Sequence, residues 1–335
     1  TFEGIILKGK RVSVDTAFCP EIVKYLQKGR YDIVVLTVLA SPTALLAVHT
    51  LRRRKIPYYY EGDGGFAKEA SGIKATLKRY LISAAGKCFS SSNEFDRYCI
   101  TYGAKPENLI RYPFTSVKKA DCLTERLPDA EKQRRKQEFG ITESCAVISV
   151  GQFIPRKGMD LLLECCKDLP EHVGVYIVGG TPPTEYLEIC EKYRLQNVHF
   201  LDFMPKDRLM RLMTAMDLFA LFTREDIWGL VINEAMAAGL PVISTDRCIA
   251  ALELIPGRGT CENGKEDADA GMIVENENLG QMKEALLTLI QSPELREKLS
   301  ENAICRIQSY TIETMAAEHD RIFQKLSAER RERRN

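Results

Sequence analysis

The chain has 335 residues, of which 45% are hydrophobic and 28% charged, with a formal net charge of +1 at pH 7. These values fit a globular protein of about two domains and exclude a disordered or collagen-like chain. The longest apolar runs, such as YDIVVLTVLA and AVISVG, are too short to span a bilayer, and the expectation is a chain without a membrane span or signal peptide.

In chain order, YDIVVLT (31–37) has the pattern of a short buried strand between Gly29 and Ser41-Pro42. SPTALLAVHTLRRRK then reads as a helix, with Ser41 as its cap and Pro42 in its first turn. IPYYYEGDGG (56–65) is a strand entering a glycine-rich loop, and KEASGIKATLKRYLISAAGK (68–87) has the spacing of a basic amphipathic helix. KCFSSS (87–92) reads as a strand, NEFDRYCITYG as a helix closed by Gly103, and NLIRYPF as a strand end. Strand alternating with helix predicts an open, mostly parallel sheet.

Residues 116–140 are charged and poor in apolar side chains, which predicts a linker, then a helix, with the domain boundary there. The alternation then restarts. SCAVISVGQ, GVYIVGG, NVHFLDF, DLFALFT and LPVIST read as strands, separated by helices at MDLLLECCKDL, PTEYLEICEKYRL, PKDRLMRLMTAM and WGLVINEAMAAG. From residue 279 the pattern is helical, ending in 311–326 and a basic tail. The fold class expected is α/β, with two doubly wound Rossmann-like domains: residues 1–120 and residues 141–310.

The eleven cysteines follow no framework and no Cys-x-x-Cys occurs, which predicts free thiols in a reducing cytoplasm. His49, His172, His199 and His319 are far apart, so no metal site is expected. Charge is uneven along the chain. Residues 1–140 hold 25 Lys and Arg against 15 Asp and Glu, a net of +10; the remainder holds 22 against 31, a net of −9. A basic first half points to an anionic partner or to ordinary solvated lysines.

Four loops of the second half occupy the carboxyl ends of expected strands, where open α/β sheets bind ligands. GQFIPRKG joins Gly151 and Gly158 to the cations Arg156 and Lys157, a composition suited to a pyrophosphate; a solvent-exposed basic turn is the alternative. The strand end at Gly179 and Gly180 and the LDFMPK loop with Phe203 and Met204 follow, the latter placed to meet the edge of a flat base. In TREDIWGLVINEAMAAGLPVIST, Asp226 precedes Ile227, Trp228, Gly229 and Leu230 at a helix entrance, and Glu234 lies a turn deeper among apolar neighbours. A carboxylate there must find hydrogen-bond partners, and vicinal ribose hydroxyls would serve; a solvated Glu with Asp226 as a simple cap is the alternative.

Taken together, VGQFIPRKGMDLLL, YIVGG, HFLDFMPKDRLMRLMTAMDLFAL and TREDIWGLVINEAMAAGLPVIST resemble glycosyltransferase family 4, retaining enzymes with the GT-B fold. Asp226-x7-Glu234 matches the family's acid-x7-Glu signature, and the resemblance extends over roughly residues 60–325. It implies two domains facing a cleft, with the 311–330 helix returning to the first. It implies transfer of a hexosyl group from a nucleotide-diphosphate sugar to a glycan or lipid-linked acceptor in cell-surface polysaccharide synthesis. Arg156 and Lys157 would neutralise the leaving diphosphate, Glu234 would hold the ribose, and Asp226 would sit at the lip beside the sugar. Gly151, Gln152, Gly179, Gly180, Phe203, Met204 and the backbone of Ile227, Trp228, Gly229 and Leu230 would line the donor; Asp63, Gly64 and Gly65 would lie on the acceptor side. No metal or other cofactor is required, because the two cations take that duty.

The sequence departs from the family at three points. The first signature acid is usually Glu and is here Asp226, preceded by Glu225; the usual Arg after the first glycine is Gln152; and the opening strand with its glycine-rich loop is not found before FEGIILKGK. With Thr1 in place of Met, the expectation is an N-terminally shortened first domain. A nucleotide-sugar-binding protein without turnover is the alternative function. An epimerase or phosphorylase fits the motifs less well, and nucleic acid is not an expected partner. The basic helix and the LRRRK cluster (51–55) suggest an anionic membrane surface, with a cytoplasmic protein bound peripherally to the inner face.

Overall fold

The computed structural model describes residues 4–13, 16–29, 31–37, 41–68, 71–257, 259–260 and 266–332. The chain forms two compact units, Thr1–Tyr112 with Ala316–Asn335, and Pro113–Met315. Cys261, residues 69–70 of the helix expected over 68–87, and the last three residues of the basic tail lie outside the described residues.

The first unit starts with a small antiparallel ladder, β1 (Lys10–Arg11) and β2 (Ala17–Phe18), followed by α1 (Glu21–Lys28). Its sheet is parallel, with β3 (Val35–Leu36), β4 (Tyr59–Glu61), β5 (Cys88–Ser90) and β6 (Leu109–Arg111) side by side in chain order. The connections run through α2 (Pro42–Arg53), α3 (Ile73–Ile82) and α4 (Asn93–Thr101). Ser41 caps α2 by accepting from the Ala44 N–H, and Ser92 caps α4 through Phe95. The basic helix is shorter than expected: Gly72, at φ 86°, sets its start, and it ends at Ile82.

The second unit begins at Pro113, so the charged segment 116–140 belongs to it. Hydrogen bonds tie that segment down, from the Leu123 N–H to the Ala237 carbonyl and from the Ile312 N–H to the Val117 carbonyl. After α5 (Asp129–Glu138) come β7 (Cys145–Val150), α6 (Met159–Cys166), β8 (Val173–Val178), α7 (Thr184–Tyr193) and β9 (Val198–Leu201). Next are α8 (Lys206–Met213), β10 (Leu218–Leu221), α9 (Leu230–Ala237), β11 (Val242–Thr245) and α10 (Ile249–Leu254). A second ladder, β12 (Gly259–Thr260) with β13 (Glu266–Asp267), precedes β14 (Gly271–Val274), α11 (Leu279–Gln291), α12 (Pro293–Ile307) and α13 (Ile312–Glu332).

The large sheet is parallel in the order β14-β11-β10-β7-β8-β9. All six residues of β8 and all four of β10 are buried, as expected for strands covered by helices on both faces. From Ala316 onward α13 packs in the first unit, where His319 meets Glu61 at 2.9 Å and the Phe323 ring lies 5.9 Å from that of Phe89.

One finding revises the sequence reading. Cys88, Cys99, Cys122, Cys145, Cys165, Cys166, Cys190, Cys248 and Cys19 are free, but Cys305 is disulfide-bonded, because spacing along the chain does not reveal what α12 meets in space. Pro293 opens α12, with Ser292 as its cap. No helix among the described residues is long and apolar enough to cross a membrane.

At the amino ends of the strands, Asp217 receives Lys132 and Lys136, each at 2.7 Å, and the Ala146 N–H at 2.8 Å. Burial pushes the Asp217 carboxyl up, but the two lysines outweigh it and hold the carboxyl below its usual range. Its stabilising contribution is therefore present above the unfolded carboxylate range and is lost as pH falls through the lowered folded value. Asp217→Ala strands the buried Lys136, and urea unfolding at neutral pH is expected to show a loss of about 3–5 kcal/mol.

Candidate active site

The strand order fixes where a ligand belongs. From β7 the chain proceeds one way through β8 and β9, then returns to the other side of β7 with β10, β11 and β14. This reversal is the topological switch point of a doubly wound sheet, and it places the loop after β7 beside the loop after β10.

The loop after β7 begins at Gly151, whose N–H bonds the Val178 carbonyl at 3.0 Å, and makes one 3-10 turn over Pro155–Lys157. It closes at Gly158, which sits at φ 64°, and a Cβ there would lie 1.9 Å from the Phe222 carbonyl oxygen. Only glycine allows both the left-handed backbone and that approach to the β10 loop. Across the gap, the Arg156 carbonyl accepts from the Arg224 N–H and from the Thr223 hydroxyl, both at 2.8 Å. The Arg224 guanidinium grips Asp160 through two bonds of 2.9 and 2.6 Å, and also reaches the Pro155 carbonyl and Glu277 at 2.7 Å each. Such a planar fork fixes both position and orientation.

Inside this clamp, Lys157 Nζ lies 2.5 Å from Asp226 Oδ2, and Arg156 Nη1 lies 3.6 Å from Oδ1. Asp226 is 6% exposed, which differs from the expected position at the lip. The cause is its backbone: the Asp226 N–H bonds the Arg247 carbonyl, and its own carbonyl accepts from Ile249, so the residue is pinned against the start of α10. The two cations are thus already on a protein carboxylate. They still outnumber it by one charge, and the Arg156 side chain remains 45% exposed.

Three residues further on, Gly229 enters α9 at φ 98° and offers no side-chain cap; its carbonyl takes the Ile232 N–H at 2.9 Å, and among the described residues the Leu230 and Val231 N–H groups of the first turn stay open. A Cβ at Gly229 would lie 2.7 Å from Cys248 Sγ. Ile227 and Leu230 flank this entrance with exposed side chains, whereas the Trp228 ring is buried beneath it. Trp228 Nε1 donates to Asn233 Oδ1 at 2.9 Å, and the ring meets Phe114 edge-on at 5.3 Å. The Trp228 carbonyl accepts from the Ala250 N–H at 2.8 Å and from Cys248 Sγ at 3.2 Å.

Glu234 occupies a separate pocket of charge. Its Oε1 accepts from Ser116 Oγ at 3.3 Å and lies 3.6 Å from Lys206 Nζ, which in turn donates to the Ser116 carbonyl. Burial pushes the Glu234 carboxyl up from its usual range, opposed by Lys206 and Ser116. Asn233, also buried, donates to the Phe114 carbonyl and to Thr115 Oγ1, at 3.4 and 3.3 Å. Sequence reasoning missed Lys206, Ser116, Asn233 and Arg224. For Arg224 and Asn233 a usable signal was a polar residue flanking each signature acid; Ser116 offered none, being 118 residues from Glu234.

The remaining expected residues are placed as follows. Gln152 is exposed, and the Gly179 and Gly180 N–H groups bond the Leu201 carbonyl at 3.2 and 3.3 Å. Phe203 is 85% exposed and Met204 half-buried on the loop before α8. Asp63, Gly64 and Gly65 lie in the first unit, on the loop after β4: Asp63 is exposed with its carbonyl bonded by Ser91 Oγ, and Gly65 is buried against Tyr98.

Two Rossmann-like α/β units, the second with its basic loop and signature acids at the switch point, define a GT-B fold. Solved structures of that fold agree. Anabaena Alr3699/HepE in complex with UDP matches with a TM-score of 0.72 at 19% identity, over 92% of this chain and 82% of that one. Sucrose-phosphate synthase from Thermosynechococcus elongatus matches at 0.71 and 17%, over 92% and 78%.

The family profile described as glycosyl transferases group 1 matches residues 130–306, and the chain belongs to that family. Among curated relatives, a D-inositol 3-phosphate glycosyltransferase of Corynebacterium glutamicum (strain R) is 25% identical over 82% of this chain and 65% of its own length. The lipopolysaccharide glucosyltransferase WaaG of Escherichia coli (strain K12) is 30% identical over 54% of this chain and 46% of its own. The chain thus spans between about half and two-thirds of the length of these relatives.

Two substitutions test the geometry. Gly158→Ala forces a Cβ into the Phe222 carbonyl and is expected to cost about 1–3 kcal/mol in chemical denaturation. For Glu234 the sign is the reverse. A carboxyl raised in the folded state stabilises below its unfolded pKa and loses that contribution as pH rises through the folded value. Glu234→Gln removes a charge that is costly at neutral pH, so its Tm is expected to equal or exceed that of the wild type at about pH 7, the gain vanishing near pH 4.

Proposed function

We propose that the protein is a retaining hexosyltransferase of glycosyltransferase family 4, acting on a nucleotide-diphosphate sugar. One observation carries the reading: at a single switch point, an excess cationic charge from Arg156 and Lys157 lies beside the uncapped entrance of α9, with Glu234 one turn in. Family membership supports it, as does the likeness to proteins whose names describe glycosyl transfer.

In the proposed reaction the bond between the anomeric carbon and the diphosphate oxygen breaks, and its electron pair leaves with the nucleoside diphosphate. The acceptor hydroxyl forms its bond on the same face and gives its proton to the departing phosphate or to water. Arg156, Lys157 and the α9 N–H groups would stabilise the negative charge as it develops, and Glu234 would accept from the ribose hydroxyls. Lys157 serves the phosphate by dividing its charge between Asp226 and the ligand; Asp226 fixes the ammonium in place. Neutralisation by these side chains makes divalent metal unnecessary, so turnover is expected to survive EDTA. Asp63, Gly64 and Gly65 are assigned to the acceptor.

The acceptor proposed is a lipid-linked glycan at an anionic membrane. Its motivation lies in α3, where Ile73 is 89% exposed and Leu77 36%, beside exposed Lys74 and Arg79. Sedimentation with anionic and neutral vesicles tests this, and equal, negligible binding to both removes it.

Turnover with a panel of UDP-, GDP- and ADP-sugars tests the central reading. Lys157→Ala is expected to lower kcat by about 100-fold or more, and Glu234→Ala to lower donor kcat/KM by about 10- to 100-fold. Full turnover by both variants would refute the assignment. Donor binding with no product in any combination would favour a binding protein without turnover.

A further inference from the structure

We infer that Lys206 is a positioning residue of the donor site: it holds the Glu234 carboxylate ionised and aimed through Oε1, so that the lone pairs of Oε2 can accept from both hydroxyls of a ribose diol. This rests on the proposed nucleotide-sugar reading and adds to it a residue that touches the donor only through Glu234.

The geometry is a closed triangle. Lys206 is the first residue of α8, where Pro205 ends the β9 loop. Its ammonium donates to the Ser116 carbonyl and stands 3.6 Å from Glu234 Oε1. Ser116 Oγ donates to the same Oε1 at 3.3 Å. One oxygen of Glu234 is thereby engaged from two sides, while Oε2 has no hydrogen-bond partner among the described residues and is the one left for a ligand.

The local charge inventory is short. Helix α9 contains no ionisable side chain besides Glu234. The 113–117 segment supplies the neutral Ser116 hydroxyl, and α8 supplies Lys206; among the described residues, those of α10 and α12 packed on α9 included, it is the one charged group whose field acts on Glu234. The Glu234 side chain is 15% exposed, too little for water to carry its charge unaided. Without Lys206 the carboxyl retains its proton to higher pH. A protonated carboxyl presents one donor and fewer acceptor sites, and it can no longer take both protons of a vicinal diol.

The test is calorimetric binding of UDP, GDP and ADP, and of their 2′-deoxy counterparts, between roughly pH 5 and 8.5. Wild type, Lys206→Met, Lys206→Arg and Glu234→Gln are compared after melting curves confirm folding. Lys206→Met is expected to move the acidic loss of binding upward by on the order of one pH unit, and to lose the preference for ribose over deoxyribose at a correspondingly higher pH than the wild type as the solution is acidified. Lys206→Arg, which keeps the charge, is expected to restore the wild-type profile. A Lys206→Met profile that overlays the wild type with its ribose preference intact overturns the inference. Failure of the underlying reading looks different: wild-type protein binds none of the three nucleotides, or Glu234→Gln leaves ribose discrimination unchanged. Either result also removes the role assigned to Lys206.

Discussion

Lys157 and Asp226 are 69 residues apart in sequence and meet at 2.5 Å because β7 and β10 are neighbours. Everything in the site depends on that adjacency. The reversal of strand order brings a basic loop against an acidic one, and Arg224 rivets the two through Asp160, Glu277 and the Pro155 carbonyl. Gly158 permits the contact sterically, and the ion pair then defines which way the ammonium points. A buried pair of this kind is a poor source of net stability, since desolvation offsets most of the attraction. Its value lies in pre-setting a charge that a flexible lysine would otherwise sample over many rotamers.

The fold was largely legible because its strands are short, apolar and bounded by glycine or polar caps. VYIV and LFAL are buried on both faces, and period and length distinguish them from the helices between. Errors arose where local pattern and chain termination disagree. The basic helix was expected over 68–87, yet Gly72 and the Ser83–Gly86 turn confine α3 to ten residues. The cysteines illustrate a different limit, since a crosslink depends on three-dimensional proximity that spacing does not encode.

In the site, residue types were legible but partnerships were not. The signature acids and the two cations stand out by spacing, but the sequence cannot show that both cations rest on Asp226. Nor can it show that Glu234 shares its oxygen with a serine 118 positions earlier. The first signature position carries the shorter Asp where the resembled family usually has Glu. In the structure its carboxylate is at ion-pair distance from Lys157 because the backbone, pinned to Arg247 and Ile249, brings the residue inward.

Trp228 is the single tryptophan in 335 residues, and it lies directly under the entrance to α9. Its indole nitrogen is bonded to Asn233, and its ring edge meets Phe114, so the chromophore is held between the glycine turn and the 113–117 segment. The protein therefore carries a built-in optical reporter at the position where loop and helix converge. When the indole is excited at wavelengths too long for the thirteen tyrosines to absorb, the emission comes from this one side chain, and a change in its intensity or wavelength can be assigned to this place without labels.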